Sequence, residues 1–203
     1  MKRIQGIVFD FGGVISMRQD PAFYAWVKAR WGWTRQEVLR GWGRYRSAVD
    51  GGTLSAAEMY QRIAVDLECA LSAEDAELLQ DADYRSWAIP NHETFQWAQE
   101  LKANGYEIGI LTNMPEDFIP YFDAIAKEFR ALAKAELISG IERMVKPNAE
   151  IYDLMQQRMA LPAEQLLFLD DTLPNVEAAR RCGWQAAQFT TVAAARALVE
   201  RLR

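Results

Sequence analysis

The stretch from Ile4 to Phe9 constrains the fold of this chain more than any other, because a run rich in β-branched and aromatic residues leads directly into Asp10. Such a run is typical of a buried β-strand, and Gly12-Gly13 ends it at once. A carboxylate at a strand's C-terminal end lies where open α/β sheets bind ligands, and glycines let backbone N–H groups approach an anion. The stretch alone fits two interpretations equally: a cation joining Asp10 to a phosphate, or an ordinary turn.

The composition is that of an ordinary globular protein. Of the 203 residues, 50% are hydrophobic and 25% charged, and the net charge of −5 gives no reason to expect nucleic acid as a partner. No apolar run reaches membrane-spanning length, so we expect no membrane partner. Cys69 and Cys182 are far apart and lack metal-ligand spacing, so we expect reduced, buried cysteines in a cytoplasmic protein.

A helical insertion separates two parts of an α/β pattern. Capping patterns predict roughly four short helices between Ile15 and Pro90. We therefore expect a helical module at residues 17–88, inserted into an α/β core formed by residues 1–16 and 89–203. In the core, strands alternating with helices predict a parallel sheet with helices on both faces. Within it we expect helical segments over residues 116–134 and a short strand at residues 137–139.

The predicted module has a pattern of charge. Residues 18–49 are rich in Lys and Arg, whereas residues 50–83 are rich in Asp and Glu. We expect basic helices to face acidic ones, each ion pair contributing little. A sharper alternative is that Arg44 or Arg46 points at an anionic substrate. The module is also dense in tryptophan, which we expect mainly in its core, although one or two could line a pocket.

Polar side chains recur where strands end. Asp10, Thr112-Asn113 and Asp170-Asp171 each follow an apolar strand, and Lys146 precedes a helix. The C-terminal ends of parallel strands lie side by side, so we expect these groups around one crevice. Carboxylates at such short distances repel one another unless they share a hard cation. Mg²⁺ is such a cation and prefers oxygen ligands. Thr112 and Lys146 supply donors and positive charge for a phosphate.

These segments resemble the four motifs of the haloacid dehalogenase (HAD) superfamily of hydrolases. Residues 9–14 resemble its first motif, 111–113 its second, 145–147 its third and 168–171 its fourth. The surroundings of the last two motifs look most similar to bacterial sugar-phosphate phosphatases, which act on substrates such as glucose 1-phosphate, and to the N-terminal phosphatase domain of soluble epoxide hydrolases. The resemblance spans the whole chain and implies a Rossmann-like core with a helical cap.

The resemblance implies a Mg²⁺-dependent phosphatase of a small phosphorylated metabolite such as a sugar phosphate. Asp10 would attack phosphorus, and water would hydrolyse the resulting aspartyl phosphate. The resemblance further implies that Mg²⁺ is held by the Asp10 carboxylate, the carbonyl of Gly12 and a carboxylate of the fourth motif. We expect Asp171 to ligate directly, with Asp170 acting through water or through Lys146.

The resemblance also implies how the phosphate is bound. Backbone N–H groups of Phe11 and Asn113 would hold its oxygens together with the Thr112 hydroxyl, Gly12 would let the backbone approach, and Lys146 would stabilise the charge. Asn175 is expected just behind these groups.

One position departs from the resemblance. HAD phosphatases usually carry a second aspartate two residues after the nucleophile as general acid and base, and here Gly12 stands there. Such groups typically contribute ~10²–10⁴-fold, so a cap carboxylate, a water or an acidic leaving group would have to substitute. Two alternatives therefore stay open: a 2-haloacid dehalogenase with Asp10 as nucleophile, whose halide needs no proton, and a non-catalytic protein that binds a phospho-ligand.

Overall fold

A single parallel sheet forms the centre of the molecule. The computed structural model describes residues 3–202, so the first two residues and the last residue of the predicted core lie outside the described residues. The strands within that range are β1 (Gly6–Phe9), β2 (Glu107–Thr112), β3 (Ala133–Ile138), β4 (Leu166–Asp170) and β5 (Gln185–Gln188). They pair in parallel in the order β3-β2-β1-β4-β5. The predicted α/β class is confirmed.

Helices cover both faces of the sheet. Along β1, Ile7 and Phe9 pack into one hydrophobic core, whereas Val8 packs into a second. Successive strand residues point to opposite faces, so both faces of β1 are buried, as in other parallel sheets. The helices of this part are α5 (His92–Ala103), α6 (Ile119–Leu132), α7 (Ser139–Glu142), α8 (Ala149–Met159), α9 (Leu173–Arg181) and α10 (Val192–Arg201), with short 3₁₀ helices at Glu116–Phe118 and Ala163–Gln165.

Four α-helices lie between β1 and α5: α1 (Ala22–Trp31), α2 (Arg35–Asp50), α3 (Ala56–Asp66) and α4 (Ala73–Trp87), and a short π-helical turn at Phe11–Ile15 precedes them. Thr34 and Ser55 form the predicted capping boxes of α2 and α3. The chain leaves the sheet and returns to it side by side, because Ser16 forms an antiparallel bridge with Pro90. The division into a core and an inserted module stays a prediction.

Basic and acidic helices face one another as the charge pattern predicts. Arg30 of α1 pairs with Asp75 of α4 at 3.2 Å, and Arg44 of α2 pairs with Asp66 of α3 at 2.8 Å. Both pairs are partly exposed, so each contributes about 1 kcal/mol or less.

The edge of the sheet and the two cysteines differ from expectation. The predicted helix over 116–134 ends earlier, since residues 133 and 134 already belong to β3, which is longer than the predicted strand at 137–139. Both cysteines are free, but Cys69 is exposed and Cys182 only partly buried, so their predicted burial was wrong. Among residues 3–202, no helix is both long enough and apolar enough to cross a membrane.

Candidate active site

Three neighbouring strands deliver the predicted polar residues to one edge of the sheet. Asp10 directly follows β1, Thr112 ends β2 and Asp170 ends β4. The backbone N–H of Asp10 donates to the carbonyl of Leu169 at 2.9 Å, which continues the β1–β4 pairing. As a result Asp10, Asp170 and Asp171 each offer a carboxylate oxygen within 4.8 Å of the other two. The predicted convergence of the acids is therefore present.

Lys146 lies between two of these carboxylates. Its Nζ donates to Asp10 Oδ1 at 2.7 Å, to Asp170 Oδ2 at 2.7 Å and to the carbonyl of Leu111 at 3.1 Å. The three contacts use all three N–H bonds of the ammonium. The side chain is only 1% exposed, so its charge acts in a water-poor setting where it fixes the orientation of Asp10.

Asn113 positions Lys146 through a contact that the sequence did not predict. Its Nδ2 donates to the backbone carbonyl of Lys146 at 2.9 Å, while its Oδ1 accepts from the backbone N–H of Lys146 at 2.8 Å. The sequence assigned only the backbone N–H of Asn113, to a phosphate. The paired amide contacts tie the loop before α8 to the end of β2, which sets where the ammonium lies.

Asp170 and Asp171 have different surroundings. Asp170 Oδ2 accepts from Lys146 and from Asn175 Nδ2, the latter at 3.0 Å, while its Oδ1 accepts from the backbone N–H of Thr172 at 2.7 Å. Asp171 is more open: its side chain is 25% exposed, and Arg18 Nε lies 3.8 Å away. Asp170 is thus held on every side, whereas Asp171 is the freer ligand. Asn175 lies where the sequence expected it.

Burial and mutual repulsion dominate the electrostatics. Burial raises the pKa of Asp10 to about 7; Lys146 opposes this rise and Asp170 adds to it. Burial also raises the pKa of Asp171, again with a contribution from Asp170. For Lys146, burial lowers the pKa, but the charges of Asp10 and Asp170 outweigh it and the pKa is raised. Three carboxylates therefore face a single ammonium.

This donor set fits a hard divalent cation. Converging carboxylate oxygens with an excess of negative charge are the ligands that Mg²⁺ prefers. The turn after Asp10 leaves room for the carboxylate oxygens. Gly13 has a φ of 72°, and a Cβ there would lie 2.7 Å from Asp171 Oδ2. A side chain at position 13 would therefore displace the Asp171 carboxylate.

Gly12 lies under an aromatic ring. Its backbone (φ −65°, ψ 121°) is open to any residue, so its conformation does not demand glycine. A Cβ there would lie 3.4 Å from Cζ3 of Trp87, at the end of α4. An indole from the inserted helices thus covers the position of the missing aspartate.

The acids open into a cavity of about 460 Å³ between the sheet edge and the inserted helices. Its lining includes Asp10, Lys146 and Asp171 on one side. Thr112 is 2% exposed, and Asp170 is completely buried. Of the two arginines proposed to meet a substrate, Arg46 lines the cavity, whereas Arg44 pairs with Asp66 on the surface. Trp42, Asp50 and Trp87 also line the cavity from the inserted helices, and Phe118 lines it from the short helix after β2.

The chain is similar in sequence to known hydrolases. A family model described as haloacid dehalogenase-like hydrolase matches residues 4–183. A phosphoglycolate phosphatase of Escherichia coli (strain K12) is 29% identical over 93 residues, which is 44% of this chain but only 35% of that protein. An (S)-2-haloacid dehalogenase of Pseudomonas putida is 27% identical over 193 residues, covering 91% of this chain and 83% of that protein.

Solved structures share the fold. A HAD family enzyme from Bacteroides thetaiotaomicron, in a magnesium complex, superposes with a TM-score of 0.75 at 16% identity and covers 94% of this chain and 96% of that one. An L-2-haloacid dehalogenase from Xanthobacter autotrophicus, with chloropropionic acid covalently bound, gives a TM-score of 0.67 at 20% identity, covering 97% and 83%.

Proposed function

This chain belongs to the haloacid dehalogenase-like hydrolase family, and we propose that it is a Mg²⁺-dependent phosphatase that hydrolyses a small phosphorylated metabolite through an aspartyl phosphate on Asp10. The observation that carries the proposal is the cluster of Asp10, Asp170 and Asp171 within 4.8 Å, with Lys146 bonded to the first two. A purely structural cluster would not need a carboxylate excess at the mouth of a cavity.

Asp10 is the nucleophile of the proposed reaction. Its carboxylate oxygen attacks phosphorus, the bond to the ester oxygen breaks, and that oxygen takes a proton from water or from a group in the cavity wall and leaves as the alcohol. A water molecule then attacks the aspartyl phosphate, the bond between Asp10 and phosphorus breaks, and phosphate and the free carboxylate are released. Lys146 orients Asp10 by its 2.7 Å hydrogen bond and offsets negative charge as it accumulates. The Thr112 hydroxyl and the backbone N–H groups of Phe11 and Asn113 hold the phosphoryl oxygens.

The metal ligands would be Asp10, the carbonyl of Gly12 and Asp171, with Asp170 acting through Lys146 or water. When bound there, Mg²⁺ neutralises the phosphate and the nucleophile so that one anion can attack another. Asp170 already accepts three hydrogen bonds from protein groups. This favours Asp171 as the direct ligand.

The inserted helices would act as a cap that closes the site. A cap over the cavity excludes water and admits small molecules rather than polymers, and the net charge of −5 favours no nucleic-acid partner. The free cysteines Cys69 and Cys182 support a cytoplasmic location.

Phosphate release from a panel of phosphorylated metabolites tests the proposal. We expect hydrolysis with Mg²⁺, none with excess EDTA, and none for Asp10→Asn. Asp66→Asn is the matched control, because Asp66 pairs with Arg44 on the surface, away from the cavity. Equal phosphate release by Asp10→Asn and the unchanged protein would disprove the aspartyl-phosphate route.

A 2-haloacid dehalogenase is the second candidate. It is favoured by the relative from Pseudomonas putida, which matches over 91% of this chain, and by Gly12, because a halide leaves without a proton. In this reaction Asp10 would attack carbon and form an ester. Halide release from a 2-haloacid that persists in EDTA, without phosphatase activity, would select this candidate over the first.

A further inference from the structure

One side of α2 forms the cavity wall opposite the acids. Trp42, Arg46 and Asp50 follow one another at intervals of four residues, which places them in a stripe along one face of the helix. All three line the cavity. Arg44, two positions from Arg46, instead points outward with a side chain that is 60% exposed. The spacing therefore assigns one arginine to the cavity and the other to the surface.

The charge of Arg46 is compensated where it meets the cavity. Its Nε donates to Asp50 Oδ1 at 2.8 Å, and its Nη1 lies 3.9 Å from Asp83 Oδ2. The guanidinium also stacks over the ring of Trp42, 5.6 Å from its centre. The side chains of Asp50 and Asp83 are only 10% and 0% exposed, so solvent screens these interactions little. One cation thus faces two buried acids.

Both acids are held in place. Gln19 Nε2 donates to Asp83 Oδ1 at 3.0 Å, and the hydroxyl of Ser139 donates to the backbone carbonyl of Asp50 at 2.5 Å. Burial raises the pKa of Asp83 to about 6, against the effect of Arg46. Above that pH the cluster holds two negative charges against the single positive charge of Arg46. A second anion on a ligand would therefore meet a guanidinium that is already paired with acids.

We propose that Asp50 is a specificity-determining residue, and that the cavity takes phosphate esters of uncharged, hydroxyl-bearing alcohols and rejects esters with a second anionic group. The proposal rests on the phosphatase function proposed above. The Arg46–Asp50 pair offers both donors and acceptors to hydroxyl groups, and the rings of Trp87 and Phe118 offer apolar surface to a carbon skeleton. We therefore expect phosphoglycolate, the substrate named for one relative, to be disfavoured.

The test compares glycerol phosphate with phosphoglycerate, which differ by a hydroxymethyl group in place of a carboxylate. With Mg²⁺, we expect kcat/KM to favour glycerol phosphate by about tenfold or more. Asp50→Asn keeps the shape but frees the Arg46 charge, so it should shift the ratio toward phosphoglycerate by about 10- to 100-fold, the size of one hydrogen bond between charged groups. Asp83→Asn, a second variant on another helix, should shift it in the same direction.

Asp66→Asn is the matched control, because it removes the acid that pairs with Arg44, another arginine of α2, outside the cavity. It should leave the ratio unchanged. A protein that prefers phosphoglycerate overturns the inference while leaving a phosphatase. A ratio that is unchanged in both Asp50→Asn and Asp83→Asn does the same. If no ester is hydrolysed, the proposed function fails, and calorimetric titration of the same two esters with Mg²⁺ decides the selectivity. Equal binding, or no binding, then overturns the inference as well.

Discussion

Lys146→Met would remove the one ammonium among the buried acids while keeping most of the side-chain volume. Nζ lies 2.7 Å from an oxygen of Asp10 and 2.7 Å from one of Asp170. At an effective dielectric constant of about 20, each contact is worth about 6 kcal/mol of Coulomb energy. Most of this offsets the cost of burying the ions, so we expect a net loss in the free energy of unfolding of about 3–5 kcal/mol.

The loss should depend on pH. Burial raises the pKa of Asp10 to about 7 from 3.8 even with Lys146 in place, and without the ammonium it would rise further. Between pH 3.8 and about pH 7, the folded protein keeps a proton on Asp10 that the unfolded chain releases. The free energy of unfolding is therefore higher at low pH and falls as the pH rises through this range. We therefore expect Lys146→Met to cost at least about 1 kcal/mol more at about pH 8 than at about pH 5.

Urea denaturation followed by tryptophan fluorescence measures both effects, since the chain has 7 tryptophans. The control is Lys102→Met, because Lys102 pairs with Glu107 at 2.8 Å on the surface, where the two side chains are 41% and 37% exposed. Removing that pair should cost about 1 kcal/mol or less. If Lys146→Met cost no more than the control, or the same amount at both pH values, the electrostatic reasoning would be refuted.

Two further variants test the positions of Lys146 and of the metal. Asn113→Ala removes both amide contacts to the Lys146 backbone. We expect it to lower kcat about tenfold or more and to reduce the free energy of unfolding by about 1–3 kcal/mol. An unchanged kcat in steady-state assays would contradict the role of Asn113. Asp171→Asn should raise the Mg²⁺ concentration needed for half-maximal phosphate release more than Asp170→Asn does. If a magnesium titration shows the larger increase for Asp170→Asn, direct ligation belongs to Asp170.

The positions of the polar residues at the strand ends could be predicted, because each position depends on a local sequence pattern. An apolar strand followed at once by a polar residue locates Asp10, Thr112 and Asp170, and parallel pairing brings them together. What could not be predicted depends on pairs far apart in sequence, such as the Asn113 amide on the Lys146 backbone. Nothing in either segment alone specifies that contact.

The start of β3 was missed for a different reason. Ala133, Lys134 and Glu136 favour a helix by intrinsic propensity, yet they form an edge strand beside β2. Hydrogen bonds to β2 and the ion pair between Arg130 Nε and Glu136, at 2.7 Å, stabilise the strand. Tertiary pairing therefore overrides local preference at this edge, which a window of sequence cannot reveal.

Gly12 and Trp87 are best explained as one feature. A Cβ at position 12 would already contact the indole at 3.4 Å, and an aspartate would extend a carboxyl group beyond that point. Trp87 lies at the end of α4, and the Tyr84 hydroxyl of the same helix donates to Asp117 at 2.7 Å. A side chain at position 12 would therefore lie against the Trp87 ring. The cavity thus has apolar surface where the resemblance expects an acid. In the proposed phosphatase reaction, the leaving alcohol would therefore take its proton from water or from another group in the cavity wall.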